Sequence, residues 1–201
     1  MRFVLVLLVL SSWVQGGGFE RLGELMRAQR GHESVEVRFR QTKDLPALAQ
    51  PVKTTGKLWL VPGEKFRWEV GEPAEEVTVF NGSDVQILRV DSGEVETLAP
   101  SDRKVKALLL MLGMNGGGAG EFEKTFKISG SQEKGDHFIA VLVPKSGRVR
   151  RFLSSVTLQL NEKTKFLERV EWVQGDGSVV KTEFFPPEAG GVLDPSLFVL
   201  R

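Results

Sequence analysis

Apolar and polar residues alternate most clearly along residues 56–70, which read GKLWLVPGEKFRWEV. A period of two along two successive runs is typical of antiparallel strands with one face in the core and the other in water. Between the runs, Pro62 presets φ for a turn and Gly63 accepts the positive φ of a type II turn. The stretch therefore predicts a β-hairpin with one apolar face. The residues on that face are Leu58, Leu60, Phe66, Trp68 and Val70.

The same alternation recurs along most of the chain. Val35, Val37 and Phe39 share one face of a strand predicted over residues 34–41, whereas residues 42–55 show no period and predict a loop or a frayed strand. Asn81-Gly82 between two β-rich runs is typical of a hairpin. In total, about ten strands are expected in one continuous meander. The remaining predicted strands cover residues 77–80, 85–90, 95–98, 125–129, 137–143, 152–160, 166–173, 178–185 and 197–200.

Two segments favour helices instead. Apolar residues recur at helical spacing over residues 19–29. A second helix is predicted over residues 104–114, after the N-cap formers Ser101 and Asp102. The glycine-rich run 116–120 predicts a flexible tether after this helix. The apolar residues that surround nearly the whole of its second half are Leu108, Leu109, Leu110, Met111, Leu112 and Met114.

These elements predict a mainly β fold in which helices cover one side of a sheet. A long antiparallel sheet curls because twist accumulates from strand to strand, and its apolar concave face must be covered. Two interpretations of the apolar helix over residues 104–114 remain open. It fills the core, or it forms a lid over a cavity that binds acyl chains, where the flexible side chains of Met111 and Met114 adapt to variable apolar partners.

Composition narrows the classes of function. The chain has 201 residues, 41% of them hydrophobic, enough for one core and one domain. A formal net charge of +1 gives no basic footprint for nucleic acid. There is no cysteine, and the two histidines, His32 and His137, lack the spacing of a metal site, so no cofactor is expected and both are interpreted as structural. The acidic residues at alternate strand positions favour a solvated sheet face over a glycosidase pair, and the chain is not expected to be an enzyme. These residues are Glu36, Glu69, Glu168, Glu171 and Glu183.

The amino terminus resembles an export signal. Met1-Arg2 is basic, residues 3–10 form an unbroken apolar run too short to span a bilayer, and small and polar residues follow. We predict a signal peptide over residues 1–17, a single domain over residues 18–201, and a soluble exported protein.

Several motifs in order resemble the LolA family, the periplasmic carriers of outer-membrane lipoproteins. They are Phe39-x-Gln41, Gly56-x-Leu58-Trp59, Pro62, Phe66-x-Trp68, Pro73 and Asn81-Gly82. The resemblance implies an unclosed (half) antiparallel β-barrel, its concave apolar face covered by an N-terminal helix and a central lid helix. It implies acyl-chain binding between the lid, residues Leu108 to Met114, and the sheet. The sheet residues implied are Phe39, Leu58, Leu60, Phe66, Trp68 and Val70.

The resemblance also implies a place and partners. A periplasmic carrier of this kind, expected as a monomer, takes acylated lipoprotein or another lipid from an inner-membrane donor complex to an outer-membrane acceptor. Members of the family typically place an arginine just after the Leu-Trp strand, where it holds the lid. Here Val61 and Pro62 stand at those positions, and the next arginine, Arg67, alternates outward. Two alternatives are a carrier of glycolipid or free acyl lipid, and a lipid-responsive regulatory module on the same fold.

Overall fold

The computed structural model of the protein describes residues 17–28, 34–114, 119–187 and 192–200. The predicted signal peptide, His32 and most of the predicted glycine tether therefore lie outside the described residues. The helices are α1 Gly18–Ala28, α2 Arg103–Met111, α3 Ala119–Thr125 and α4 Gly147–Arg150, with a 3₁₀ helix over Pro195–Phe198. The strands are β1 Val35–Asp44, β2 Val52–Val61, β3 Lys65–Val70, β4 Glu76–Phe80, β5 Val85–Arg89, β6 Glu94–Leu98, β7 Phe126–Lys134, β8 His137–Pro144, β9 Leu153–Asn161, β10 Leu167–Gln174 and β11 Val179–Phe184.

The eleven strands form one antiparallel sheet in the order β6-β5-β4-β3-β2-β1-β11-β10-β9-β8-β7. The sheet is not closed, because β6 and β7 are its two edges. The prediction of a mainly β, unclosed antiparallel sheet with covering helices is confirmed. The prediction of one continuous meander was wrong, because the sheet consists of two meanders joined where β1 pairs with β11. The chain passes from edge β6 to edge β7 through α2 and α3, so this connection has to cross the sheet.

The hairpin formed by β2 and β3 matches its sequence pattern. Gly63 has φ +81°, and the Glu64 N–H donates to the Val61 carbonyl at 3.0 Å, which confirms the predicted tight turn. Leu58 pairs with Trp68 and Leu60 with Phe66. We call the face that carries these four residues the inner face of the sheet and the opposite face the outer face.

Three segments differ from their predictions. Residues 42–55 are not a loop, since β1 runs on to Asp44 and its end pairs with the start of β2, Thr42 opposite Lys53. The sequence does not reveal this pairing because the residues there are mostly threonines and lysines. Backbone hydrogen bonds between strands form without an alternation of apolar residues. The predicted strand over residues 197–200 is not formed, because Leu197 and Phe198 belong to the 3₁₀ helix Pro195–Phe198, at whose start the Asp194 side chain accepts from the Ser196 N–H. The short helix α3 was not predicted at all.

Phe39 occupies the centre of the inner face. Its side chain is fully buried, and its ring centre lies 4.9 Å from that of Trp68 and 6.1 Å from that of Phe184. Gly56 faces Phe39 across the β1–β2 ladder. A Cβ at Gly56 would stand 2.3 Å from Phe39 Cζ and 2.2 Å from the Glu69 carbonyl oxygen. Gly56 is therefore what allows the phenyl ring to lie across β2.

The outer face is not wholly solvated, contrary to the prediction. Val77, Val79 and Phe198 form a second buried cluster there, with Trp59 packed against it. The segment after β11 thus folds back over β3 and β4. Arg67 faces this side and donates from Nη1 to the Leu197 carbonyl at 3.1 Å, so it ties down the carboxyl-terminal segment and not the helices.

We expect Phe198→Ala to lower the free energy of unfolding by about 3 kcal/mol, because it removes a buried aromatic ring from the outer cluster. Phe198 is 4% exposed and Val199 is 56% exposed. The neighbouring Val199→Ala variant is the control and should change stability by less than about 0.5 kcal/mol. Urea unfolding of both variants measures the difference. Equal effects would show that the segment does not pack on the sheet as described.

Candidate functional site

Helix α2 lies on the inner face and ends in a defined cap. The Met114 N–H donates to the Leu109 carbonyl at 2.8 Å, and the Gly113 N–H donates to the Leu110 carbonyl at 3.2 Å. With Gly113 at φ +70°, these bonds form a Schellman motif. The helix therefore ends at Met111, before the glycine run that the sequence analysis took as its terminator. Residues 115–118 of that run lie outside the described residues.

The inner face is covered by three helices. Leu22, Leu25 and Met26 of α1 and Phe122 of α3 are buried in the same core cluster as the inner-face strands. Of the six predicted lid residues, Leu108 is half-buried. The other five are buried: Leu109, Leu110, Met111, Leu112 and Met114. In the described part of the chain, no helix is long and apolar enough to cross a membrane.

A cavity of about 700 Å³ lies between α2, the inner face and the region around α4. Its volume falls within the roughly 300–1,000 Å³ of small-molecule sites. Both meanders contribute to it, so the cavity exists only because β1 and β11 join them. Its apolar lining includes Trp68, Val70, Ala107, Leu108, Val149, Leu153, Trp172 and Val180. Its polar lining includes Gln41, Lys43, Glu76, Thr78, Arg151, Gln174, Asp176 and Thr182.

The structure separates the predicted acyl-binding residues into three groups. Trp68 and Val70 line this cavity, as does Leu108 from α2. Leu60 lines a second cavity of about 480 Å³ near the start of β1. The remaining three, Phe39, Leu58 and Phe66, are buried in the core and do not line the 700 Å³ cavity. Buried side chains of the covering helices belong to the same core cluster. The role of all six in ligand binding stays a prediction.

A polar patch interrupts the apolar inner face inside the cavity. Gln41, Thr78 and Thr182 line the cavity and are buried. The Gln41 Nε2 donates to Thr182 Oγ1 at 3.2 Å, while no group in the described part of the chain hydrogen-bonds to Gln41 Oε1. In the sequence, Gln41 stands out only as part of the Phe39-x-Gln41 motif. The available signal was positional, since Gln41 continues the inner-face series of Val37 and Phe39 along β1.

Charged groups of both signs line the cavity beside α4. Lys43 and Arg151 are cationic, and Asp176 is anionic. The pKa of the Asp176 carboxyl lies below its ordinary value, because the Ser178 backbone N–H donates to its Oδ1 at 2.9 Å. The carboxylate is therefore ionised at neutral pH. The neighbouring Phe152 lines the cavity and leaves 64% of its surface exposed.

Several of the acidic residues that were considered as a possible catalytic pair have partners outside the 700 Å³ cavity. Glu36 accepts a hydrogen bond from Trp59 Nε1 at 2.9 Å, and Glu183 pairs with Arg169 at 2.7 Å. Glu168 Oε2 lies 2.8 Å from His137 Nε2. None of these groups lines the 700 Å³ cavity. The described ranges contain no group of three or more His, Asp or Glu side chains that could hold a metal ion.

Known proteins resemble this chain over the whole of its β-sheet. The family model described as outer membrane lipoprotein carrier protein LolA matches residues 30–201, which include all eleven strands. The chain is 28% identical over 198 residues to the outer-membrane lipoprotein carrier protein of Chromohalobacter salexigens, covering 96% of this chain and 87% of that protein.

Two solved structures share the fold at low identity. An uncharacterized conserved protein from Thermus thermophilus gives a TM-score of 0.52 at 10% identity, covering 90% of this chain and 94% of that chain. The Pseudomonas aeruginosa MucA/MucB complex gives a TM-score of 0.50 at 13% identity, covering 92% of this chain and 62% of that chain. At these identities the likeness shows the fold alone.

Proposed function

Since the chain belongs to the LolA family of outer-membrane lipoprotein carrier proteins, we propose that it carries acylated lipoprotein or a related lipid. The acyl chains occupy the 700 Å³ cavity beneath α2. The observation that carries this proposal is the lining of that cavity, where Trp68, Trp172 and Leu108 present apolar surface from the sheet and the helix. Val70 and Val180 extend the same wall.

The buried face of α2 makes reversible binding possible. Each methylene of a bound acyl chain contributes about 0.8 kcal/mol when it leaves water, so a long chain held without competition would leave very slowly. Leu109 and Met111 are fully buried and belong to the same core cluster as the inner-face side chains. We infer that these side chains compete with cargo for the inner face. The protein then releases lipid without an enzymatic step.

The remaining features of the proposal concern place and partners. The amino-terminal residues 1–17 act as an export signal, and the protein works in the periplasm. It receives cargo from an inner-membrane donor complex and passes it to an outer-membrane acceptor, and it acts as a monomer. The basic and apolar pattern of residues 1–10 supports the export signal, and the motif-based resemblance and the family match support the place and the cargo partners.

Tryptophan quenching by a brominated fatty acid tests acyl binding at this site. Bromine quenches indole fluorescence only at close contact. Trp68 and Trp172 line the cavity, whereas Trp59 lies on the outer face and bonds to Glu36. We therefore expect dibromostearate to quench Trp68 and Trp172 strongly and to leave Trp59 nearly unquenched. Variants of the exported protein that retain a single one of these tryptophans separate the three signals.

Non-brominated stearate is the control, since it fills the same volume without quenching. Equal quenching of all three tryptophans would indicate non-specific adsorption, and no quenching of any would remove the acyl-carrier proposal. Native mass spectrometry of the protein purified from the periplasm then identifies the cargo. A mass increment of a whole acylated protein supports lipoprotein, and a smaller increment supports a free lipid.

A further inference from the structure

Gln41 leaves a hydrogen-bonding group unused inside the cavity. Its side chain lines the cavity and is only 7% exposed. The amide nitrogen Nε2 donates to Thr182 Oγ1 at 3.2 Å, but the carbonyl oxygen Oε1 has no partner among the residues that the structure describes. A buried acceptor without a donor destabilises a folded protein, and most buried polar groups are therefore paired. The position calls for a ligand that supplies the missing bond.

The neighbouring strand repeats this feature at the same level of the sheet. Thr54 of β2 stands opposite Gln41 in the register, and its buried Oγ1 also lacks a partner within the described ranges. At the next inner-face pair, towards the start of β1 and the end of β2, the face is already close-packed, with Phe39 opposite Gly56. A cavity built for hydrocarbon alone would continue that apolar surface. We infer that the polar patch contacts the part of the ligand where its hydrocarbon chains end and its polar group begins.

The free atom defines the chemistry of the ligand group. A carbonyl oxygen only accepts hydrogen bonds, so the ligand must supply an N–H or O–H donor. Hydrocarbon chains, esters and thioethers have none. We propose that Gln41 Oε1 accepts a hydrogen bond from the amide N–H or hydroxyl that heads the acyl chains, and so selects donor-bearing lipids. This inference rests on the proposed function, because it places the acyl chains in the same cavity.

Matched lipid pairs test the selection. N-palmitoylglycine methyl ester carries an amide N–H, and its palmitoyloxyacetate analogue replaces that N–H by oxygen. Monopalmitoylglycerol carries hydroxyls, and its di-O-methyl ether does not. A single neutral hydrogen bond predicts that the wild type binds at least one donor-bearing member about three- to tenfold more tightly than its partner. In Gln41→Met this ratio should fall to about one. The pair that shows the preference identifies the donor as amide or hydroxyl.

A stability measurement separates recognition from a structural role. Gln41→Met combined with Thr182→Val replaces both hydrogen-bonding partners by apolar groups and removes the unmet carbonyl. We expect the Tm of this double variant to rise by roughly 2–4 °C. A lower Tm together with an unchanged binding ratio would make Gln41 a structural residue and overturn the proposal.

The outcomes keep the two proposals apart. If the wild type binds both members of each pair equally, acyl carriage stands and donor selection is wrong. If Gln41→Met keeps the wild-type ratio, selection exists but Gln41 does not provide it, and the inference is again wrong. If no probe binds the wild type, the carrier proposal fails, and the inference fails with it.

Discussion

Replacement of Gly56 by alanine is expected to lower the free energy of unfolding by about 3 kcal/mol, the upper end of the usual cost of overpacking a core. The added Cβ would stand 2.2 Å from the Glu69 carbonyl oxygen and 2.3 Å from Phe39 Cζ. Neither neighbour can yield cheaply. The carbonyl belongs to β3, and the phenyl ring is fully buried between Trp68 and Phe184. Thermal unfolding should show a Tm lower by roughly 6–12 °C for a chain of this size.

Gly120→Ala is the matched control, since it adds the same methyl group at a site where no atom of any non-neighbouring described residue lies within 4 Å of the new Cβ. Gly120 lies in α3, where alanine is favoured over glycine by about 0.5–1 kcal/mol. The two substitutions should therefore have opposite signs. Similar small effects from both would show that Phe39 does not lie across β2 at Gly56.

The second large effect concerns two adjacent residues of α2. Leu109→Ala should lower the free energy of unfolding by about 2–5 kcal/mol, because Leu109 is fully buried. If α2 competes with cargo, the same substitution weakens the covered state and should tighten fatty-acid binding. The affinity for the fatty acid should rise at most tenfold for each 1.4 kcal/mol by which the substitution lowers the free energy of unfolding. Leu108→Ala should act in the opposite direction on binding, since Leu108 is half-buried and lines the cavity.

Urea unfolding and titration with a fluorescent fatty acid measure the two quantities for each variant. The pair is informative because the same change is made one residue apart on one helix. A loss of stability in Leu109→Ala with unchanged affinity would show that α2 only fills the core. That result would decide between the two interpretations that the sequence leaves open for this helix.

Local chemistry made part of the fold predictable. In the β2–β3 hairpin, period-two alternation and the Pro62-Gly63 turn act within a few residues, so the sequence alone indicates strands, turn and facing sides. The same holds for the amphipathic α1. The pairing of β1 with β11 joins segments that are far apart in the chain, and no short sequence pattern indicates it. A register of polar residues, such as Thr42 with Lys53, also gives no periodic signal.

The site was predictable only in outline. An apolar helix over an apolar sheet face follows from the leucines of α2, and Trp68, Val70 and Leu108 do line the cavity. The sequence could not show that Phe39 is sealed beneath the helices, since burial depends on how α1, α2 and α3 pack. The sequence also could not show that Gln41 Oε1 lacks a partner among the described residues, because that depends on where Thr182 of a distant strand stands.

The junction between β1 and β11 bears on how the chain folds. Gln41 and Thr182, which bond across it, are 141 residues apart in the chain. Each meander forms from neighbouring hairpins, whereas this junction must wait for a long loop to close, and non-local pairing of this kind slows folding. Synthesis delivers β1 long before β11. Until then the edge of β1 over residues 39–44, which later pairs with β11, is open, and such an edge can pair with another chain. We therefore expect newly made, incomplete chains to aggregate through β1, and addition of the β11 segment to suppress it.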